Sequence, residues 1–285
     1  ILGNENPELL QPQMLVCAAD HGLATEGVSA YPSGVTWQMI ENFLAGGAAV
    51  SVLAKQHNIS LNVVDCGVKH DFLPRKGLII QKVSKGTANS LHGPAMSNEE
   101  CQQAINNGMN ITLSLAGNAL LIGEMGIGNS SAAAMLLARL TNNDIASCAG
   151  SGTGMIGSAL KKKISVLEKV LEKHKQATEP LEALAAFGGL EIATLAGAVI
   201  QAASERRVIV VDGFIASSAV LVASQIRPAV LDYCIFSHRS DEQGHSLMLR
   251  EMGADPLLDL KLRLGEGSGA ALAWPLLMSA SAILR

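Results

Sequence analysis

Six short apolar runs, several rich in β-branched residues, recur along the chain with helix-length segments between most of them, and this alternation limits the fold more than any other feature. The runs are Met14 to Ala19, Leu61 to Cys66, Leu78 to Val83, Ala119 to Ile122, Val208 to Val211 and Tyr233 to Phe236. Helical periodicity is clearest over Val35 to Gln56, Asn98 to Asn107, Ser130 to Leu140, Leu160 to His174, Glu191 to Ser204, Ser217 to Gln225 and Asp241 to Met252. Strands separated by helices of this length imply right-handed βαβ crossovers. The expected fold is therefore α/β, a Rossmann-like, mostly parallel sheet with helices on both faces. Ligands of such sheets bind beyond the carboxyl ends of the strands. Three glycine-bearing runs directly follow apolar runs and are expected at that edge: Asp20-His21-Gly22, Gly123-Glu124-Met125-Gly126 and Asp212-Gly213-Phe214.

Composition narrows the partners. Hydrophobic residues make up 48% of the 285 and charged residues 16%, so many helices must be buried on more than one side or face another subunit. A net charge of -4, with Lys161 to Lys163 as the one basic run, disfavours nucleic acid. Five Phe, two Trp and two Tyr are scattered singly and form no stacking platform. The five cysteines are far apart and form no C-x-x-C pair, which fits buried, reduced thiols and a cytoplasmic protein. The apolar stretches Leu190 to Ala203 and Ser268 to Leu284 fall short of the ~20 unbroken apolar residues of a membrane span. No signal peptide is read at the start, which carries no Met, and the chain is expected to begin within a longer protein. Lys175 to Pro180 is a polar break where a lobe boundary could fall.

Three segments invite chemistry, each with an ordinary alternative. Gly150-Ser151-Gly152-Thr153-Gly154 leads toward the helix bearing Lys161 to Lys163 and could cradle a phosphate, or be a plain glycine-rich turn. The next stretch, Val166 to Lys175, reads as helix where a dinucleotide fold needs a strand ending in an acid, and no G-K-[ST] follows for a Walker loop. Glu124, between a strand and a helix start, could bind ribose hydroxyls or be a solvated loop carboxylate. Glu266, in Leu264-Gly265-Glu266-Gly267-Ser268, could be a base of raised proton affinity or a helix-capping acid. Histidines 21, 238 and 245 with Asp241 and Glu242 could be assembled into a metal site or triad. However, neither H-E-x-x-H nor G-x-S-x-G is present.

Ala19-Asp20-His21-Gly22 with Glu26-Gly27-Val28-Ser29, Gly123 to Asn129, Asp212-Gly213-Phe214, Ser237-His238 and, above all, Leu262 to Leu272 resemble the nicotinate-nucleotide–dimethylbenzimidazole phosphoribosyltransferases, in order, from about Leu15 onward. The resemblance implies a single domain over 1–285 with a small helical lobe. The lobe would be formed partly by the C-terminal helix at about 268–285, and an N-terminal segment of it is expected to be absent here. It implies transfer of ribose 5-phosphate from nicotinate mononucleotide to 5,6-dimethylbenzimidazole or a related base, for the nucleotide loop of cobalamin. No metal or other cofactor is implied, and the expected assembly is a homodimer. By motif, Glu266 resembles the general base and Glu124 a second acid near the ribose. Gly126, Gly152 and Lys163 resemble the phosphate-holding positions. Ser29, Tyr31 and Met39 mark the start of the base pocket, and Leu264 is placed at the substrate. Some members carry Ser and Gln where Tyr31 and Met39 stand, which implies a less polar pocket here. Relatives that act on phenolic bases as paired, unlike subunits also exist, so the alternative is a catalytically weak subunit of such a heterodimer.

Overall fold

The computed structural model describes residues 1–152 and 154–285. Its centre is a sheet of six strands: β1 (Gln13–Ala19), β2 (Ser60–Gly67), β3 (Leu78–Ile80), β4 (Ala119–Met125), β5 (Val208–Val211) and β6 (Cys234–Phe236). The spatial order is β3-β2-β1-β4-β5-β6, and every pairing is parallel. The chain therefore winds outward in two directions from β1, leaving a crevice beyond the ends of β1 and β4. Each expected strand belongs to this sheet.

The sheet's two faces are buried under different helices, because neighbouring side chains along a strand point to opposite faces. Leu15, Cys17, Leu120 and Ile122 face a core built with α3 (Asn98–Ser114), α4 (Asn129–Thr141), α7 (Pro180–Phe187), α8 (Leu190–Ser204) and α9 (Phe214–Ile226). Met14, Val16, Ala119 and Leu121 face the other, with α1 (Val35–Ala45), α2 (Ala49–Gln56) and α11 (Ser268–Leu284). The remaining elements are α5 (Ile145–Cys148), α6 (Ser158–Lys173), α10 (Gln243–Glu251) and a separate two-stranded parallel sheet, β7 (His238–Ser240) and β8 (Leu258–Leu262). Among the described residues no helix is long and apolar enough to cross a membrane.

Several boundaries differ from the sequence expectation for local reasons. The helix expected over Val35 to Gln56 is two helices, ended at Gly46 by a left-handed φ of 81°. The strand expected at Leu78 to Val83 stops at Ile80, although Gln81 and Val83 still donate backbone hydrogen bonds to β2. Conversely, β4 runs on through Gly123, Glu124 and Met125, which were expected in a loop. The polar break at Lys175 to Pro180 is a turn and no lobe boundary, since α6 and α7 bury Leu167, Val170 and Phe187 in one cluster. Cys17, Cys66, Cys101 and Cys148 are buried free thiols, and Cys234 is half-buried and free.

Candidate active site

A cleft of about 770 Å³, counting the solvent at its mouth, opens beyond the ends of β4, β5 and β6. Three helices with glycine at the N-cap start at or beside it: α4 behind Gly128, α9 behind Gly213 and α11 behind Gly267, the last with its first turn already met by the Asp212 carboxylate. Helix N-termini carry partial positive charge and unpaired N–H groups, so a cleft with such a rim favours an anion. Of the nine residues selected from sequence, six line this cleft: Ser29, Glu124, Gly126, Gly152, Leu264 and Glu266.

Glu266 is presented by an unusual turn. Gly265, Glu266 and Gly267 have consecutive φ values of 79°, 67° and 90°, so a non-glycine residue is held in the left-handed region between two glycines. Such strain persists only where surrounding contacts fix it. Here they are identifiable. The Asp212 carboxylate, just past β5, accepts the Gly267 N–H at 3.0 Å through Oδ2 and the Ala270 N–H at 3.1 Å through Oδ1. On the other side the turn rests on Gly123, where an added Cβ would lie 2.5 Å from Gly267 N and 2.6 Å from the Glu266 carbonyl carbon.

Glu124 points from the end of β4 to the same place. A Cβ on Gly265 would be 2.9 Å from its Oε1, while its Oε2 accepts a hydrogen bond from the Asn129 amide. Both acids hold their protons more tightly than ordinary carboxyls. Burial, then the negative charge of Asp212, pushes Glu266 up to about 7. Burial, then Asp212, with smaller contributions from Glu191 and Glu266 and a partial offset from Asn129, pushes Glu124 up to about 8. The negative charge of Glu266 adds a little to the hold of Glu124 on its proton, so Glu266 gives up its proton at lower pH than Glu124.

Lys163 stands just behind the lining. Its ammonium donates to Ser130 Oγ at 3.1 Å and to the Gly150 carbonyl at 3.3 Å, and lies 3.3 Å from where a Cβ on Gly152 would be. Burial pulls its proton affinity down, and Glu242 partly opposes that. The glycine run 150–154 includes Thr153, which lies outside the described residues; Gly152 has a left-handed φ of 54° and donates its N–H to Glu242 Oε2 at 3.3 Å. Tyr31 and Met39 do not line the cleft: Tyr31 is 53% exposed beside Ser29, and Met39 packs half-buried on the α1 side of the sheet.

The Asp212-Gly213-Phe214 run expected at the ligand edge does reach the site, Gly213 and Phe214 lining the cleft and Asp212 holding the Glu266 turn. Asn129, Ser130 and Glu242 also line it, although the sequence suggests Glu242 only for a metal site or triad, because the fold alone brings it there. Of the histidines, His238 lines the cleft with Nδ1 3.8 Å from Asp212 Oδ1, and His245 lies behind it. His245 Nδ1 accepts the Ser240 N–H at 2.9 Å, so its neutral ring carries the proton on Nε2 and donates to Ser217 Oγ at 3.1 Å. Burial, then His238 and Arg239, pushes it down to about 3. Among the described residues no three His, Cys, Asp or Glu side chains are arranged to hold a metal ion.

Comparison with known proteins converges on one family. A family profile described as phosphoribosyltransferase matches residues 1–285. A nicotinate-nucleotide–dimethylbenzimidazole phosphoribosyltransferase of Variovorax paradoxus is 64% identical over 285 residues, covering 100% of this chain and 82% of the relative. One of the same name from Dechloromonas aromatica is 53% identical over 284 residues, covering 98% and 82%. The crystal structure of CobT from Thermus thermophilus superposes with a TM-score of 0.95 at 40% identity, covering 98% of this chain and 85% of that one. With its parallel α/β sheet, its cleft at the strand ends and a match over its whole length, the chain belongs to this phosphoribosyltransferase family.

Proposed function

We propose that the chain transfers ribose 5-phosphate from nicotinate mononucleotide to 5,6-dimethylbenzimidazole or a related base, releasing nicotinate and an α-riboside 5′-phosphate for the nucleotide loop of cobalamin. The observation that carries this reading is the pairing of Glu266 with Glu124 in one anion-favouring cleft. Relatives named for this reaction favour it over a catalytically weak subunit of an unlike pair.

The chemistry suits those groups. Nicotinate bonded to C1′ is a pyridinium, so the C1′–N bond breaks with its electron pair moving onto the ring nitrogen, and nicotinate leaves with a neutral ring. The incoming ring nitrogen attacks C1′ from the opposite face, which converts β to α. Its second nitrogen then becomes acidic, and Glu266, with a proton affinity near neutrality, accepts that proton. Glu124 keeps its own proton to a higher pH and can donate a hydrogen bond to the ribose. The N-termini of α4 and α9, with Gly126, Gly152 and Lys163, hold the phosphate away from C1′ and turn remote binding into orientation. Ser29 and Leu264 border the base.

The same reading includes a cytoplasmic homodimer with a small helical lobe formed partly by α11. Leu276, Met278, Ile283 and Leu284 leave the outer side of α11 apolar and exposed, as a subunit contact requires. The test is incubation of purified protein with nicotinate mononucleotide and a panel of benzimidazoles, purines and phenols. Nicotinate release with formation of the benzimidazole α-riboside phosphate is expected, and no release with any benzimidazole would overturn the proposal.

A further inference from the structure

Beneath the Gly126 turn lies a buried ion pair that the reaction above does not use. The His21 Nε2–H donates to Glu191 Oε1 at 2.7 Å, with the two side chains 3% and 0% exposed. His21 follows β1, Glu191 belongs to the first turn of α8, and Gly126 follows β4. The pair thus spans the point where the sheet order reverses, under the floor of the cleft. A Cβ on Gly126 would lie 3.2 Å from Glu191 Oε1 and 3.3 Å from Asn129 Nδ2, the amide that donates to Glu124. At Gly189 a Cβ would come within 2.4 Å of both Glu191 Oε2 and His21 Cε1, so the backbone closes on the pair from α8 as well.

Burying two charges is costly, and an apolar pair of similar volume often serves stability as well or better. Asp20 beside His21 deepens the puzzle: Asp20 Oδ1 and Glu191 Oε2 are buried with no protein hydrogen-bond partner. Two buried acids facing one imidazole under a ligand turn point to a role in position and charge.

We propose that the His21–Glu191 ion pair is a positioning element of the nucleotide site, bracing the Gly126 turn from below and setting part of the negative field that Glu124 faces. It rests on the reading of the cleft given above. Glu124 is faced by Asp212 past β5, Glu191 on α8 and Glu266 before α11, all acids, and by the neutral Asn129 of α4. His21 is faced by Glu191 and Asp20; burial works against its imidazolium, but these two acids outweigh it and its proton affinity rises. On β1, Cys17 feels Glu191 too and stays a thiol, held so chiefly by burial. The Glu191 charge therefore reaches Glu124, whereas Glu266 responds to burial and Asp212.

The test uses the full chain with Glu191→Gln, His21→Gln and the double variant, measuring nicotinate mononucleotide binding by calorimetry, the pH profile of kcat, and melting. Both single variants should weaken binding about fivefold or more by unseating the turn. Glu191→Gln should also move the upper limb of the profile, loss of the Glu124 proton, down by about half a pH unit or more, with the lower limb unmoved. In the double variant a neutral Gln–Gln hydrogen bond should restore binding to within about twofold, while the upper limb should be displaced less than in Glu191→Gln alone, because the positive charge of His21 is removed as well. Wild-type binding and an unmoved upper limb in all three, with only a lower melting temperature, would reduce the pair to a structural contact. Should the variants fail to fold, ring-nitrogen NMR of the unsubstituted protein decides: His21 protonated on both nitrogens at pH 7 supports the ion pair, and a neutral ring overturns it. A wild type that binds the nucleotide but releases no nicotinate would instead sink the assigned reaction and leave the binding arm standing.

Discussion

Asp212 accepts the backbone N–H of Gly267 at 3.0 Å, and through that contact the end of β5 fixes the turn that presents Glu266. Its second oxygen takes the Ala270 N–H at 3.1 Å, so both oxygens face donors. In Asp212→Asn the amide must turn its NH₂ against one N–H, at a cost of about 1–3 kcal/mol. The expected result is a fall in kcat of at least about tenfold, from displacement of Glu266. Removal of the Asp212 charge also lowers the proton affinity of Glu266, so the rising limb of the pH profile should shift to lower pH. A profile and kcat like the wild type would show that the turn holds itself.

From the other side, Gly123→Ala tests the same turn by crowding. Strand backbone accommodates alanine, but the new methyl would sit 2.5 Å from Gly267 N and 2.6 Å from the Glu266 carbonyl carbon, and backbone cannot swing aside as a side chain can. Loss of about a hundredfold or more in kcat is expected, with the fold retained at some loss of stability of about 1–3 kcal/mol. Full activity in a well-folded variant would mean that the turn tolerates a shift, and that strain at Glu266 does not matter to the reaction.

These contacts also mark what the sequence could and could not reveal. The six strands and their parallel sheet were legible because a strand buried on both faces must be apolar throughout, and such runs stand out between helices. Glu266 was legible as an acid among glycines. Its partners were not: Asp212 lies 54 positions before Glu266 and meets it only because β5 and β4 are neighbours in the sheet. The same holds for His21 and Glu191, 170 residues apart, which no local pattern could pair. The break at Gly46 escapes the sequence because apolar periodicity continues on both sides of it, and β7 and β8 because His238–Ser240 and Leu258–Leu262 are polar or mixed with charged residues and show no apolar run.

Glu124 makes stability depend on pH in a definite direction. Its folded-state proton affinity is raised from 4.5 to about 8, so the stabilisation from its protonated form is full below pH ~4.5 and is lost as pH rises through about 8. At about 1.4 kcal/mol per pH unit this is worth a few kcal/mol. Substrate-free protein should therefore melt at a lower temperature at pH 9 than at pH 6, and Glu124→Gln should flatten that slope while lowering activity. An equal slope in the variant would place the pH dependence elsewhere.

Lys163→Ala should act on binding more than on chemistry. The ammonium sits behind Ser130 and Gly152, at the end of the cleft assigned to the phosphate, so its loss removes a charge-assisted interaction of ~1.5–3 kcal/mol. KM for nicotinate mononucleotide should rise roughly tenfold or more, with kcat changed less. Apolar packing offers no equal effect, because Lys163→Met, which keeps the buried chain without the charge, should behave like the alanine variant. An unchanged KM in Lys163→Met would take the ammonium out of the phosphate site.

Glu266→Gln separates the two roles the sequence left open for this residue. Glutamine keeps the side chain's shape and hydrogen-bonding capacity, and the left-handed backbone at φ 67° strains both residues alike, so the turn and nucleotide binding should survive. What disappears is proton affinity. General-base catalysis is typically worth ~10²–10⁴-fold, and turnover with dimethylbenzimidazole should fall within that range, the remainder coming from positioning of the two substrates. In the wild type the rate should rise with pH through about 7, as Glu266 loses its proton, and the variant should lack that limb. Acceptors that arrive already deprotonated at high pH need no base and should lose least. If the variant instead retains wild-type kcat and melts at a markedly lower temperature, Glu266 serves the turn alone. Glu124, which lines the cleft beside Gly265, is then first in line as the proton acceptor, and the rising limb of the wild type should already lie nearer about 8.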